Sequence, residues 1–350
     1  MLAKRTKKIL GAFFKKNVVL AFIFYFLFIG LSFSQDLHFS QFFNSPLSTN
    51  PANTGFIPDA DYRLGANFRN QYSSLMNIPY KTISVMGDAQ VLREKIQNGW
   101  LGLGGLLMND EAGSGTLRSS KIYGSIAYHQ MLGNSSLLSA GFNLGWVNKS
   151  INPSKLKFPD QFDGRFFDNT LPTSVVLTST SLHYFDLQAG LNYAIFPNEN
   201  LYVNLGYSIH HVNQPKETFF ASNASNRIPM RHIGFINAMI KLNERFIIQP
   251  NIYFTQQATA TNLLGGALFN YDLANQGEKQ LIFGFYYRNK DAVIPMLGFE
   301  LNQLKFTFSY DATVSSLNNF NQYRGASEFS LIKNGFYTIE KNRSIPCPRF

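Results

Sequence analysis

The chain has little charge, almost no cysteine, and no long apolar run beyond its N-terminus. Only 15% of its 350 residues are Asp, Glu, Lys or Arg, whereas soluble proteins average about 25%. The single cysteine, Cys347, excludes an intramolecular disulfide framework. The lack of a second run of ~20 apolar residues argues against a polytopic helical membrane protein. Abundant aromatic residues, 34 Phe and 17 Tyr, exclude a disordered chain.

The N-terminus has the composition of an export signal. Six basic residues and no acidic residue precede an apolar run over 18–31, and small residues stand at the two positions that a signal peptidase reads. This pattern predicts a signal peptide over residues 1–34, cleaved between Ser34 and Gln35. An uncleaved anchor is the alternative, because residues 9–31 nearly match the span of a bilayer. Without the six leader charges the formal net charge falls from +10 to +4, so no nucleic-acid partner is predicted.

From residue 61 onward, apolar and polar residues alternate with a period of two. In 61–72, Leu64 and Phe68 alternate with Arg63 and Asn67, which places the apolar groups on one face of a strand. Repetition of this pattern gives roughly twelve to fourteen strands, and fourteen are predicted because an even number returns both barrel ends to one side. The predicted strands are 61–72, 79–91, 98–109, 116–130, 136–149, 182–195, 200–213, 228–241, 244–256, 262–272, 279–288, 292–302, 303–314 and 323–335.

Two folds produce such strands: a soluble sandwich or barrel with its apolar face inward, and an outer-membrane barrel with its apolar face in lipid. Segments of about ten residues favour the membrane barrel, since soluble strands usually have about five or six. The polar faces carry charged residues that a dry core would not accept unpaired. The predicted fold is therefore all-β, an outer-membrane β-barrel over residues 61–336. The aromatic residues predicted at its two lipid interfaces are Tyr62, Tyr72, Tyr80, Trp100, Tyr128, Trp146, Tyr184, Tyr193, Tyr253, Tyr271 and Tyr310.

The remaining segments are expected outside the sheet. Residues 35–60, with two prolines, predict a periplasmic N-terminal segment, and residues 337–350 predict a periplasmic tail. Both termini of the mature chain are thus expected on the periplasmic side. The longest connections, 150–181 and 213–227, are predicted to be extracellular loops.

No catalytic, cofactor-binding or metal site is predicted. The six histidines lack zinc-binding spacing, and His210 and His211 would point to opposite faces of one strand. The glycines of 99–105 lack the dinucleotide-binding pattern and are expected within a closely packed strand. Charged residues of the lumen are expected to form an ion network that stabilises a plug, or, as an alternative, an acid/base pair. The carboxylates concerned are Asp186, Glu300, Asp311 and Glu328, and the cations are Arg63, Arg245, Arg288 and Lys305.

An ordered set of local sequences resembles the PorP/SprF family of type IX secretion system membrane proteins, from gliding and related Bacteroidetes-type bacteria. The resemblance covers nearly the whole mature chain, and Tyr72 departs from it where the family commonly has Trp. The matching segments are residues 35–43 (QDLHFSQFF), 50–55 (NPANTG), 62–63 (YR), 68–72 (FRNQY), 211–215 (HVNQP), 287–288 (YR), 291–292 (DA), 309–311 (SYD), 325–331 (GASEFSL) and 347–350 (CPRF).

The resemblance implies a non-enzymatic barrel in outer-membrane lipid that acts with the secretion machinery. It would help particular cargo, such as adhesins, to be exported or held at the surface through the cargo C-terminal domains. A passive porin and an outer-membrane hydrolase remain the alternatives. Segments 35–55 and 347–350 are hypothesised to fill the lower mouth of the barrel or to dock to periplasmic machinery. The hypothesised partner or lumen contacts are Asn50, Pro51, Gly55, Arg69, His211, Gln214, Pro215, Arg288, Asp291, Asp311, Glu328, Cys347, Pro348, Arg349 and Phe350.

Overall fold

Fourteen antiparallel strands close into one barrel in the computed structural model, with each strand paired to its neighbours along the chain and the last paired to the first. The structure describes residues 38–337 apart from 59, 77, 114–116, 169, 221–225, 274–276 and 278. The strands are β1 Tyr62–Gln71, β2 Tyr80–Val91, β3 Gly99–Ala112, β4 Leu117–Met131, β5 Ser136–Ser150, β6 Ser181–Asn198, β7 Leu201–His210, β8 Arg231–Asn243, β9 Phe246–Gln257, β10 Ala260–Asp272, β11 Lys279–Arg288, β12 Ala292–Leu301, β13 Leu304–Thr313 and β14 Arg324–Gly335. The predicted fold and strand number are confirmed.

The two ends of the barrel differ in the length of their connections. One end carries the longest connections, 151–180 between β5 and β6 and 211–230 between β7 and β8. We call it the loop end. The other end carries short turns such as 199–200 and 302–303, together with the first residue of β1 and the last residue of β14. We call it the turn end.

The alternation in the sequence becomes a separation of outer and inner faces. Apolar side chains such as Leu64 and Phe185 are 55% and 57% exposed on the outside, whereas Asn143 and Asp186 are fully buried inside. The predicted apolar and polar faces are therefore confirmed, because successive strand residues point to opposite sides of a sheet. No helix in the described part of the chain is long and apolar enough to cross a membrane.

Four aromatic residues predicted at the lipid interfaces instead point inward, and one of them, Tyr80, shares the inner face of β2 with the buried Thr82. Trp100, Tyr184 and Tyr253 are 1%, 8% and 3% exposed. Each finds a partner there: Trp100 donates a hydrogen bond to the Gly55 carbonyl oxygen, and Tyr184 donates one to Glu217. Tyr253 stacks on the Phe42 ring at 4.6 Å between centroids. The interface prediction was wrong for these four because position near a strand end does not decide which face a side chain occupies.

Residues 38–58 lie inside the barrel, and we call them the plug. The prediction of a periplasmic segment over 35–60 is corrected for this stretch, whose residues are almost all buried. The segment folds into three short turns: helix α1 (Pro46–Thr49) and two single turns of 3-10 helix, Phe42–Asn44 and Pro51–Asn53. A proline starts helix α1 and the second 3-10 turn. A second short helix, α2 (Asn318–Asn321), lies between β13 and β14 at the loop end.

Candidate functional site

Four buried charged residues meet on the inner wall, near the loop end of strands β1, β11, β13 and β14. We call Arg69, Arg288, Asp311 and Glu328 the charge cluster. Arg69 lies between both acids, with Nη2 at 2.8 Å from Asp311 Oδ2 and Nη1 at 2.9 Å from Glu328 Oε2. Arg288 Nη1 lies 3.0 Å from Asp311 Oδ2 and also contacts the half-exposed Asp291 at 3.0 Å. The four formal charges cancel, which such a buried group requires.

The plug donates and accepts hydrogen bonds within this charge cluster. The backbone N–H groups of Ser40 and Gln41 donate to the two oxygens of Glu328, at 2.9 and 2.7 Å. The Ser40 hydroxyl donates to Asp311 at 2.8 Å and accepts hydrogen bonds from both arginines. Buried ions are stable only when their remaining hydrogen-bonding capacity is satisfied. The charge cluster therefore stabilises the plugged arrangement, and the plug stabilises the charge cluster.

The middle of the plug is hydrogen-bonded to polar groups of strands β6 and β7. Asn50 accepts a hydrogen bond from the backbone N–H of Ala52 at 2.8 Å, which caps the following turn. The Asn50 amide then donates to Asn192 Oδ1 at 2.7 Å and to the Leu191 carbonyl at 3.0 Å. The Ser208 hydroxyl donates to the Thr49 carbonyl at 2.7 Å. The plug is thus bound to β6 and β7 as well as to the charge cluster.

The C-terminal part of the plug, around Thr54 and Gly55, is hydrogen-bonded to β2, β3 and β4. Gly55 donates its N–H to Asp88 at 2.8 Å, and its carbonyl accepts from the Trp100 indole at 2.9 Å. His129, fully buried, lies 2.8 Å from the Thr54 carbonyl through Nε2 and stacks on Trp100 at 4.9 Å. Arg63 holds Asp88 in place at 2.7 Å. Gly55 has a φ of +66°, a conformation that glycine adopts without strain.

Glycines on the inner wall make room for the plug. A Cβ atom on Gly141 would lie 2.4 Å from the Pro51 carbonyl, and one on Gly190 would lie 1.9 Å from Asn50 Oδ1. A Cβ on Gly102 would lie 1.9 Å from the Thr54 carbonyl oxygen. Only glycine permits this approach of the plug to the sheet.

Cavities remain on both sides of the plug. The loop-end cavity has a volume of about 480 Å³ and is lined by residues that include His38, Tyr80, Lys121, Arg288 and Asp291. The turn-end cavity has a volume of about 220 Å³. Its lining includes plug residues such as Phe43 and Pro58, together with Lys305 of β13.

A second buried polar group lies on the β4–β6 wall. His211 Nδ1 is 2.8 Å from Asp186 Oδ1, and the Tyr123 hydroxyl donates to Asp186 Oδ2 at 2.7 Å. His210 and His211 are both buried, so the prediction that they face opposite sides was wrong. The reason is that β7 ends at His210 and His211 has a φ of +57°, which turns its side chain inward.

The β5–β6 loop is ordered by aspartate side chains. Asp163 accepts hydrogen bonds from the backbone N–H groups of Phe166 and Arg165, at 2.6 and 2.7 Å. These donors lower the pKa of the Asp163 carboxyl below its ordinary value, because they stabilise its charged form. The loop is joined to the β7–β8 loop by a backbone hydrogen bond from Thr178 to Phe219 at 2.9 Å. Phe166 stands out from it, with 73% of its surface exposed.

The structure brings most of the hypothesised contact residues together and separates a few. Those at or beside the plug are Asn50, Pro51, Gly55, Arg69, Arg288, Asp291, Asp311 and Glu328. His211, Gln214 and Pro215 lie instead at the start of the β7–β8 loop, where the Gln214 N–H donates to the His211 carbonyl. The cleavage pair Ser34 and Gln35, and the tail residues Cys347, Pro348, Arg349 and Phe350, lie outside the described residues.

Several contacts were not predicted as site residues, notably Ser40, Trp100, His129 and the inward glycines. A signal for the glycines was present: Gly141 and Gly190 occupy polar-face positions of their strands, where a missing side chain indicates close approach of another segment. Among the described residues, no three His, Cys, Asp or Glu side chains converge to hold a metal ion.

This arrangement defines a transmembrane β-barrel of the outer-membrane class whose lumen is occupied by its own N-terminal segment. Residues 31–332 match the family described as type IX secretion system membrane protein PorP/SprF. The chain therefore belongs to the PorP/SprF family. Among curated proteins, none matches this sequence.

Solved structures with a similar fold are bacterial transport barrels. The P. putida toluene transporter TodX is 12% identical, with a TM-score of 0.50 over 84% of this chain and 94% of that chain. The Ralstonia pickettii toluene transporter TbuX is 8% identical, with a TM-score of 0.47 over 83% and 94%. At 12% identity the similarity to TodX shows the fold alone.

Proposed function

We propose that the protein is a non-enzymatic component of the type IX secretion system in the outer membrane. It supports the export or surface attachment of particular cargo, such as adhesins used in gliding motility, through the cargo C-terminal domains. The family membership supports a role in this secretion system. The single observation that favours an accessory over a channel is the occupied lumen, in which the plug makes hydrogen bonds to well-separated strands of the wall, including β2, β6 and β14.

In this proposal the loop end faces the cell surface and the turn end faces the periplasm. The exposed Phe166 and the joined β5–β6 and β7–β8 loops would then offer the contact surface for cargo. Residues 1–34 would be removed as a signal peptide, and the tail beyond Tyr337 would meet the periplasmic machinery. Tyr337 is already anchored at the turn end, because its N–H donates to Asp61 at 2.8 Å.

The two alternatives fit the interior less well. A passive channel requires a free path, and the described lumen carries the plug between its two cavities. A hydrolase requires carboxylates available for proton transfer, whereas Asp311 and Glu328 are occupied by Arg69 and by donors of the plug. The ion network therefore supports a structural interior.

Deletion of the gene followed by a comparison of surface and medium proteins tests the proposal. We expect loss or mislocalisation of proteins that carry a type IX C-terminal domain, and restoration by the wild-type chain. Phe166→Ser should restore less well than the matched control Leu64→Ala on the lipid-facing wall, since only Phe166 belongs to the proposed contact surface. Unchanged cargo in the deletion strain contradicts the proposal. Large steady currents of the purified protein in planar bilayers would instead favour the channel.

A further inference from the structure

We infer that the turn-end cavity is a binding site for a small amphipathic carboxylate, a molecule with one negative charge on an apolar body that also carries an N–H donor. The cavity lies between the plug and the inner faces of strands that include β7, β8 and β9. Such a ligand is separate from the cargo of the proposed function, whose contact surface lies at the loop end.

The charged residues that line the turn-end cavity all have the same sign. They are Arg63 of β1 and Lys305 of β13, and no acidic side chain of the described residues lines the cavity. Arg63 is already paired with Asp88 at 2.7 Å. Glu300 lies opposite Lys305 on β12, but no hydrogen bond or ion pair joins the Lys305 ammonium to a described residue. A cleft lined by charge of one sign attracts the opposite charge, so Lys305 is the anchor for a carboxylate.

Two side-chain amides of the wall supply unused acceptors. Asn204 of β7 and Asn237 of β8 lie directly opposite each other where these strands pair, and both line the cavity. Asn204 is only 4% exposed. The Oδ1 atoms of both residues are buried and have no hydrogen-bond partner among the described residues. A buried acceptor without a donor is unfavourable, so an N–H group of a ligand that reaches these amides stabilises the complex.

Aromatic rings form much of the remaining lining, and contacts outside the cavity hold them in place. The Phe43 ring stacks on Tyr286 at 5.7 Å between centroids, and the Tyr286 hydroxyl accepts a hydrogen bond from Asn251 at 2.7 Å. A preformed apolar wall binds an apolar group without the entropic cost of ordering its own side chains. The aromatic lining residues are Phe42, Phe43, Phe56, Tyr202 and Phe235.

The size of the cavity limits the ligand. Its volume of about 220 Å³ is below the ~300–1,000 Å³ of pockets that hold drug-sized molecules. A folded domain is therefore excluded, and a group the size of a single amino-acid residue is favoured. An N-acylated apolar amino acid has every required part: a carboxylate for Lys305, an amide N–H for Asn204 and Asn237, and an apolar side chain for the rings. The same groups occur in a free small acid and at the carboxyl end of a peptide.

Calorimetric titration of the purified full-length protein with two matched compounds tests recognition of the charge. N-acetyl-L-phenylalanine carries the carboxylate, and N-acetyl-L-phenylalaninamide has nearly the same shape without the charge. We expect the acid to bind about 10- to 100-fold more tightly than the amide, since only the acid makes a hydrogen bond to Lys305 in which both groups are charged. Equal affinities overturn the inference, and so does the absence of saturable binding of the acid up to ~10 mM.

Two variants of the cavity identify the groups that bind. Lys305→Gln should weaken binding of the acid about 10- to 100-fold, and Asn237→Ala should weaken it about 2- to 10-fold. The matched control is Lys333→Gln on the neighbouring strand β14, because the Lys333 ammonium donates to the Asn302 carbonyl at 2.7 Å and does not line the cavity. Wild-type affinity in either cavity variant overturns the inference. If a variant fails to form a heat-modifiable barrel, the comparison of acid and amide on the wild-type protein still decides.

A peptide separates the two sources of the ligand. Binding of N-acetyl-Gly-Gly-Phe as tightly as the single acetylated residue assigns the site to the carboxyl end of a peptide. Binding of the single residue alone assigns it to a free small acid, and both results support a carboxylate site. These titrations do not measure cargo, so failure here is separable from failure of the proposed function.

Discussion

Replacing Glu328 by glutamine should loosen the plug while leaving the barrel closed. Glu328 is fully buried and accepts hydrogen bonds from three donors: the backbone N–H groups of Ser40 and Gln41, and Arg69 Nη1. Glutamine has nearly the same shape but only one acceptor oxygen, and its amide N–H groups would face donors. The strand pairing of β14 uses backbone groups and is unaffected by the exchange.

The size of the effect follows from the lost hydrogen bonds. A buried donor left without a partner costs about 1–3 kcal/mol, and a hydrogen bond to a charged group contributes about 1.5–3 kcal/mol. Taking about 3 kcal/mol for the net change, the fraction of molecules with a released plug should rise ~100-fold, since each 1.4 kcal/mol is tenfold.

Thiol labelling of a plug residue measures that fraction. Ser45 is fully buried in the plug, so Ser45→Cys in a Cys347→Ser background reacts with maleimide only when the plug leaves. Glu328→Gln should accelerate labelling by the factor above, whereas Glu244→Gln, on an 81% exposed side chain at the turn end, should not. Equal rates in the two variants, with both barrels still heat-modifiable, would refute the reasoning. Collapse of the barrel in Glu328→Gln would show that plug and barrel are not separable.

Three further predictions concern the interior, the outer wall and the loops. Gly141→Ala should also accelerate thiol labelling of the plug, because its Cβ would lie 2.4 Å from the plug backbone, whereas Gly124→Ala has no atom within 4 Å and should behave as wild type. Brominated lipid should quench the fluorescence of Trp146, which is 43% exposed, and spare that of the buried Trp100. Two Trp→Phe variants, each leaving one of the two tryptophans, separate their signals. Equal quenching in the two variants contradicts the inward position of Trp100. The stabilisation of the β5–β6 loop by Asp163 is complete above the ordinary carboxyl pKa of 3.8 and is lost as pH falls through its lowered pKa. The rate of pepsin cleavage of this loop should therefore rise at a more acidic pH in wild type than in Asp163→Ala. The same pH profile of cleavage in both proteins would count against a stabilising role of Asp163.

The strands were predictable because their signal is local. Leu64 and Asn67 occupy opposite faces because side chains alternate between the two faces of a strand. This alternation does not depend on which strand is the neighbour. The predicted strand bounds differ from the observed ones where a terminal residue leaves the hydrogen-bonded ladder. The strand predicted over 200–213, for example, ends at His210 in β7. The inward position of Trp100 was not predictable in this way, since an aromatic residue near a strand end suits a lipid interface and a plugged lumen equally.

The sequence by itself determined an export leader pattern, an amphipathic strand repeated around a barrel, and a polar inner wall with balancing charges. Those features depend on residues within a few positions of one another. Only the tertiary structure decided what the polar wall binds. Ser40 and Glu328 are 288 positions apart, and a polar lumen is satisfied by water as well as by a chain segment. Closure of the strand circle brings the wall into contact with residues 38–58, and this contact turns a barrel with a polar interior into one that carries its own plug.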